Sequence, residues 1–250
     1  MSSATIRLSD VTIAYDRHPA VHHVSGAFEE GQLTAIVGPN GAGKSTLVKA
    51  LIGELPLTQG SIDRGHLKKN DFGYLPQAAE IDRRFPLAVS ELVMLGAWRE
   101  TGAFGGVTRR TLVKARAALS AVELEGFEKR PIATLSAGQF QRALFARLLM
   151  QDARAIILDE PFTAIDSRTT AHLLELIGRW GIEGRTVIAV LHDLDQVRAH
   201  FPQALLLARE KVAWGPTDST LSVSHLHKAR AMSESWDENA SVCEETRWQS

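Results

Sequence analysis

Gly38, Gly43, Lys44 and Ser45 stand at the spacing of a glycine, four residues, then Gly-Lys-Ser, inside the run LTAIVGPNGAGKSTLVKAL from Leu33 to Leu51. Residues of these types in this order hold phosphate, provided a strand precedes them and a helix follows. Glycines at 38, 41 and 43 let the chain turn tightly and bring successive N–H groups onto anionic oxygens, where a Cβ would obstruct the approach. Pro39, Asn40 and Ala42 complete the loop, and Thr46 follows Ser45 in the first helical turn. The phosphates then rest on the positive end of that helix. Lys44 adds a full charge at the β and γ phosphates of a nucleotide, and the Ser45 hydroxyl is placed to ligate a magnesium ion bridging them.

Acids and amides that suit such a substrate follow along the chain. The apolar run AIILDEP, 155–161, ends in Asp159 and Glu160, as expected of a buried parallel strand that delivers charge at its carboxyl end. Side chains alternate on a strand, so the two acids should serve different atoms. Asp159 is the natural magnesium-side acid, and Glu160 the candidate that orients and deprotonates an attacking water. A second such run, TVIAVLHD, 186–193, ends in His192, able to bond the γ-phosphate or that water. Gln77 closes FGYLPQ as a neutral amide whose oxygen suits magnesium or water. In LSAGQ, 135–139, Ser136 and Gln139 form a capping box and Gly138 keeps the first turn unobstructed, which makes a second anion-binding helix start. Tyr15, by itself a strand-end aromatic, becomes a platform for a nucleotide base only because a phosphate loop lies downstream. His22-His23 and His225-Leu226-His227 lack a neighbouring carboxylate or thiolate in sequence and read as structural.

The elements that must carry these groups are legible in outline. Residues 5–15 read as one or two strands, and the Gly- and Pro-rich stretch 53–65 turns into short strands. From about 78 to 151 the pattern becomes helical, with helices expected over 89–98, 108–122 and 136–150, the first two separated by TGAFGG. Runs 204–209 and 212–215 read as a last pair of strands. Residues 231–250, polar and acidic, are a loose tail or a partner-docking segment, and they hold the only cysteine, Cys243. With 250 residues, 44% hydrophobic and 23% charged, the chain suits one globular domain of about residues 1–230. The net charge of −1, with basic pairs scattered, gives a nucleic-acid partner no support. A single cysteine forms no internal disulfide, and MSSATIRLSD lacks the apolar core of a signal peptide, so a cytosolic location is the simplest expectation. No run of about eighteen apolar residues exists, and any membrane function must come through a separate partner.

Taken together, GPNGAGKST at 38–46, Gln77, LSAGQ at 135–139, ILDEP at 157–161 and His192 resemble, in order, the motifs of the ATP-binding subunit of ABC transporters over residues 5–215. The resemblance implies an α/β fold: a P-loop NTPase core like that of RecA, an N-terminal antiparallel β subdomain and a helical insertion. It implies ATP and Mg2+ as ligands, and a homodimer formed on ATP binding in which LSAGQ of one subunit closes on the nucleotide of the other. It further implies adenine stacking for Tyr15, magnesium binding and membrane-subunit coupling for Gln77, and a place for Asp166 on a loop at the dimer interface. One departure is Ala137, where the family usually has glycine; its methyl bears on backbone freedom and on the space for phosphate at that turn, and with Ser136 and Gly138 in place it reads as a tolerated variant. IDRRFPLAVSELVMLG at 81–96, with DEPFTAID and VLHDL, is similar to the ATPases of bacterial metal-ion importers, zinc or manganese in particular. That likeness implies ATP hydrolysis driving uptake of a transition metal, zinc first, through an integral membrane permease. An extracytoplasmic metal-binding protein would be an indirect partner, and the chain would sit peripherally on the cytoplasmic face of the membrane. The alternatives are manganese or iron-siderophore import, or a soluble assembly ATPase of the iron-sulfur kind.

Overall fold

A computed structural model describes residues 4–15, 18–98, 102 and 106–234. Strands β1 (Ala4–Tyr15), β2 (His18–Glu29) and β3 (Leu33–Val37) precede helix α1 (Lys44–Leu51) and strands β4 (Gln59–Asp63) and β5 (Phe72–Leu75). Helices α2 (Val89–Met94), α3 (Arg109–Ala121) and α4 (Ala137–Gln151) follow. The chain then runs through β6 (Ala155–Asp159), α5 (Ser167–Ile182), β7 (Thr186–Val190), α6 (Leu194–His200), β8 (Gln203–Ala208), β9 (Glu210–Pro216) and α7 (Val223–Glu234). It divides into two compact units, Met1–His66 with Val190–Ser250, and Leu67–Ala189.

In the first unit β1 lies between β2 and β4, antiparallel to both, the expected N-terminal sheet. The long strand β2 was not foreseen. Its pairing with β1 is interrupted by register shifts, one of them between Leu8 and Val11, and Asp10 and His23 take left-handed backbone there, so period-two alternation is lost. β3 runs parallel to β8, and β8 turns back antiparallel on β9. Every residue of β3 is buried, which is why LTAIV is apolar throughout. Trp214 of β9 packs on Phe28 of β2 with ring centroids 4.6 Å apart and lies flat against the bare Cα of Gly26, where a side chain would strike the indole. Helix α7 extends to Glu234, four residues into the segment expected to be tail, anchored by buried Ala229 and an Arg230–Glu234 pair one turn apart. Residues 235–250, with Cys243, lie outside the described residues.

In the second unit β5 and β6 pair in parallel, and β6 and β7 are buried along their whole lengths. The helical stretch follows the expected order, but the helix foreseen over 89–98 tightens to 3-10 geometry after Met94. Gly96 touches the Arg147 carbonyl of α4 so closely that no Cβ fits. α5, unforeseen because Gly178 and Gly181 interrupt its pattern, buries Leu173, Leu174, Ile177 and Trp180 along one stripe.

Candidate active site

The first unit builds the phosphate loop. Gly38, Gly41 and Gly43 have φ of 152°, 74° and 85°, conformations that L-residues with side chains rarely adopt. The reason differs among them. A Cβ at Gly38 would strike the Leu207 carbonyl and one at Gly43 the Ala20 carbonyl, while Gly41 has open space around it. At 38 and 43 it is therefore the protein's own backbone, and not only an approaching phosphate, that excludes a side chain. Gly43 is the N-cap of α1 and no side chain caps that helix. Lys44 is buried, and its Nζ donates to the carbonyls of Gly38 and Pro39, both at 2.9 Å, so the ammonium is held over the loop. Ser45 and Thr46 follow in the first turn.

Leu191 N–H donates to the Ile36 carbonyl at 3.1 Å, which brings the next residue, His192, beside the end of β3. His192 lines a cavity of ≈ 350 Å³ with Gly38, Pro39, Leu226 and Arg230. Asp193 then caps α6, accepting from the N–H groups of Asp195 at 2.9 Å and Gln196 at 3.1 Å. The sequence thus places His192 on a strand end whose exit is fixed by a cap. Tyr15 ends β1 with 49% of its surface exposed. The histidine pair is accounted for by acids far away in sequence, His22 Nδ1 meeting Glu210 at 3.1 Å and His23 Nδ1 meeting Asp10 at 2.7 Å. His225 Nδ1 lies 3.1 Å from the Ser219 carbonyl. Among the described residues no three His, Cys, Asp or Glu side chains are grouped to hold a metal.

The second unit holds the acids and the second helix start. β6 ends at Asp159, fully buried. Glu160 lies beyond the strand at φ 49°. The two carboxylates are therefore separated by a left-handed backbone step, a correction to the expectation that strand alternation alone parts them. Ser136 caps α4 as expected: its Oγ accepts from Gln139 N–H at 3.2 Å, and Gln139 Oε1 accepts from Ser136 N–H at 3.0 Å. A Cβ on Gly138 would lie 2.6 Å from the Ala164 carbonyl, so glycine is required by the loop after Glu160. Ala137 is exposed in the first turn of the helix with an ordinary negative φ, a backbone that accepts its methyl.

Gln77 begins a 3-10 turn, its carbonyl accepting from Glu80 N–H at 3.0 Å. The segment after it, with Ala78, Arg83, Ala137, Phe140 and Ala164, surrounds a cavity of ≈ 570 Å³. Asp166 caps α5, accepting from Thr169 N–H at 2.9 Å and Oγ1 at 2.8 Å. Those two bonds, backbone first, hold its carboxyl below the usual carboxylate range.

Two supporting residues escaped the sequence reading. Gln141, fully buried in α4, donates from Nε2 to the Pro161 carbonyl at 3.0 Å and ties the helix to the loop that carries Glu160. Arg83 donates to the Leu135 carbonyl and stacks on Phe140, 4.9 Å from the ring centroid, bracing the start of the same helix. A glutamine two places past a capping box carries no local signal of burial, because its acceptor lies on another element.

The first unit carries a phosphate loop of left-handed glycines with a histidine at its side, and the second a capped helix start tied to the loop that follows an acid pair; these are the parts of a nucleotide-hydrolysing cassette. The chain matches the ABC transporter family over residues 21–163 and belongs to it. It is 36% identical over 227 residues to the manganese transport system ATP-binding protein MntB of Bacillus subtilis, covering 89% of this chain and 91% of that one. The MntB of Listeria monocytogenes is 38% identical, over 87% and 92% of the two chains. The zinc transport system ATP-binding protein TroB of Treponema pallidum is 36% identical, over 90% and 86%. Among solved structures, a dimeric ATP-binding cassette bound to ADP and phosphate aligns with TM-score 0.75 and 26% identity, covering 85% of this chain and 98% of that one. An ABC transporter ATP-binding subunit with 21% identity shares the fold with TM-score 0.78, over 92% and 99%. The chain is an ABC ATPase with the α/β fold of that family, a P-loop NTPase core with a β subdomain and a helical insertion.

Proposed function

We propose that this ATPase powers an importer for a divalent transition-metal ion, working as a pair of identical cassettes on the cytoplasmic face of a separate membrane permease. The observation that carries the chemistry is the loop of Gly38, Gly41 and Gly43 leading into an uncapped helix start, with Lys44 held over it. That arrangement is a cradle for phosphate. The ion class is supported by the names of the relatives, which carry manganese as well as zinc. Zinc, the first choice from sequence, therefore stands beside manganese. No helix of the described residues is long and apolar enough to cross a membrane, so the pathway for the ion belongs to the partner. An extracytoplasmic protein would deliver the metal to it.

Within the cassette, Tyr15 stacks on adenine, residues 38–46 and Lys44 bind the phosphates, Glu160 takes the proton of the attacking water, and His192 holds the γ-phosphate or that water in place. Ser136, Gly138 and Gln139 of the partner cassette close the site. A magnesium ion suits the oxygen donors Ser45, Gln77 and Asp159, and would offset the charge of the phosphates. Deleting the chromosomal copy and scoring which of zinc, manganese or iron-siderophore restores growth and uptake tests the cargo. Rescue by neither zinc nor manganese refutes the reading, and recovery of the protein only from soluble extract would favour an assembly ATPase.

A further inference from the structure

The turn between β8 and β9 carries Arg209, whose backbone is left-handed at φ 61°, a conformation that costs a residue with a side chain roughly 1 kcal/mol or more. Its bonds run in three directions. Arg209 N–H donates to the Ala42 carbonyl in the phosphate loop at 3.0 Å, and its own carbonyl accepts from His22 N–H at 2.8 Å. The guanidinium donates from Nη1 to the Pro19 carbonyl at 3.1 Å. Pro19 pairs with Ala14 across the β1–β2 ladder, and the next pair along is His18 with Tyr15. The main chain of one residue thus touches the phosphate loop, and its side chain grips the strand end beside Tyr15. Leu207, two residues earlier, supplies the carbonyl against which Gly38 packs, so the same turn backs the loop at two points. Glu210, one residue later, meets His22 Nδ1 at 3.1 Å and adds a second tie to β2.

We infer that Arg209 is a positioning residue which sets the spacing between the base platform at Tyr15 and the phosphate loop. The inference rests on the reading of Tyr15 as that platform. The loop holds phosphates through its own N–H groups and Lys44, whereas the base adds affinity only when its platform stands at a fixed distance. Loosening the guanidinium from Pro19 slackens the strand end beside Tyr15 and leaves the His22 ties and the backbone bond to Ala42 in place. The loss then falls on the base and not on the phosphates.

The test compares dissociation constants of the full chain for magnesium-ATP and for magnesium tripolyphosphate, which has no base. Arg209→Ala is expected to weaken ATP by about tenfold, the worth of one charged hydrogen bond, and to leave tripolyphosphate within about twofold. Arg209→Lys, able to donate to one carbonyl, restores most of the difference. Equal weakening of both ligands marks a merely structural role and overturns the inference, as does weakening of neither. If Arg209→Ala does not fold, Arg209→Gln, which keeps the stem, carries the same comparison. Tyr15→Ala separates the two claims. A ratio kept by Tyr15→Ala but shifted by Arg209→Ala overturns the Tyr15 platform alone, with the base held at another point of the strand end; a ratio shifted by Tyr15→Ala but not by Arg209→Ala overturns the role of Arg209 alone.

Discussion

The helix after the phosphate loop opens on Gly43, left-handed and without a side-chain cap, whereas the helix after Leu135 opens on Ser136 and Gln139, each bonded to the other's backbone. Both are helix starts and both attract anions. The first is shaped around an absent side chain and is completed by its ligand. The second carries its own cap, which satisfies the N–H groups of Ser136 and Gln139. At the second start the Ser136 oxygen already accepts from Gln139 N–H, which leaves the hydroxyl proton to be donated to a phosphate. On the proposed function the first start holds the chain's own nucleotide and the second meets that of a partner cassette.

Five substitutions would break or sharpen that contrast. The largest effect is expected for Glu160→Gln, which removes the proposed base and spares both helix starts. ATP turnover should fall at least about 100-fold while ATP binding stays near wild type, read by phosphate release and nucleotide binding. Retained turnover would remove Glu160 from the role. Next, Gly43→Ala puts a methyl into the Ala20 carbonyl at a φ of 85°, and should abolish ATP binding and cost about 3 kcal/mol or more in denaturant unfolding. Gly138→Ala meets the Ala164 carbonyl at 2.6 Å without a positive φ, so it should leave ATP binding to the monomer intact and impair only ATP-dependent dimerisation. Equal loss of binding in both variants would erase the distinction between the two starts.

Gln141→Leu should come fourth. It strips the buried Pro161 carbonyl of its donor, costing about 1–3 kcal/mol and lowering turnover through the Glu160 loop, with the melting temperature and the maximal rate falling together. The smallest effect concerns pH. Asp166 has a folded-state carboxyl depressed below its ordinary value by the Thr169 bonds. Its contribution is therefore full above the ordinary carboxylate range and lost as pH falls through the depressed value. The gap in melting temperature between wild type and Asp166→Ala should stay constant from neutrality to about pH 4 and close below it. A gap that closes above pH 5 would contradict the capping geometry.

What the sequence disclosed follows the range of the interactions. The Ser136–Gln139 box spans three residues and is written locally, as is the strand, glycine turn and helix of residues 33–51. Gly38 was legible as a phosphate glycine, but its second reason, the Leu207 carbonyl, lies 169 residues away and leaves no trace nearby. The same is true of His22 and His23, whose acids are Glu210 and Asp10, and of Gln141, whose acceptor is Pro161. β2 was hidden by its own bulges and by Pro19 and Gly26, which interrupt the alternation that reveals a strand. The candidate site residues were singled out by their types, whereas what props each one in the fold was not legible.

The left-handed backbone at Glu160 has a bearing on any attempt to make this enzyme hardier. A glycine there would relax the chain and raise the melting point by removing a strain of about 1 kcal/mol. It would also delete the proposed proton acceptor. A selection run on heat tolerance alone should drift toward a sturdier but inert variant at this codon, so surviving clones need to be scored for turnover before they are kept.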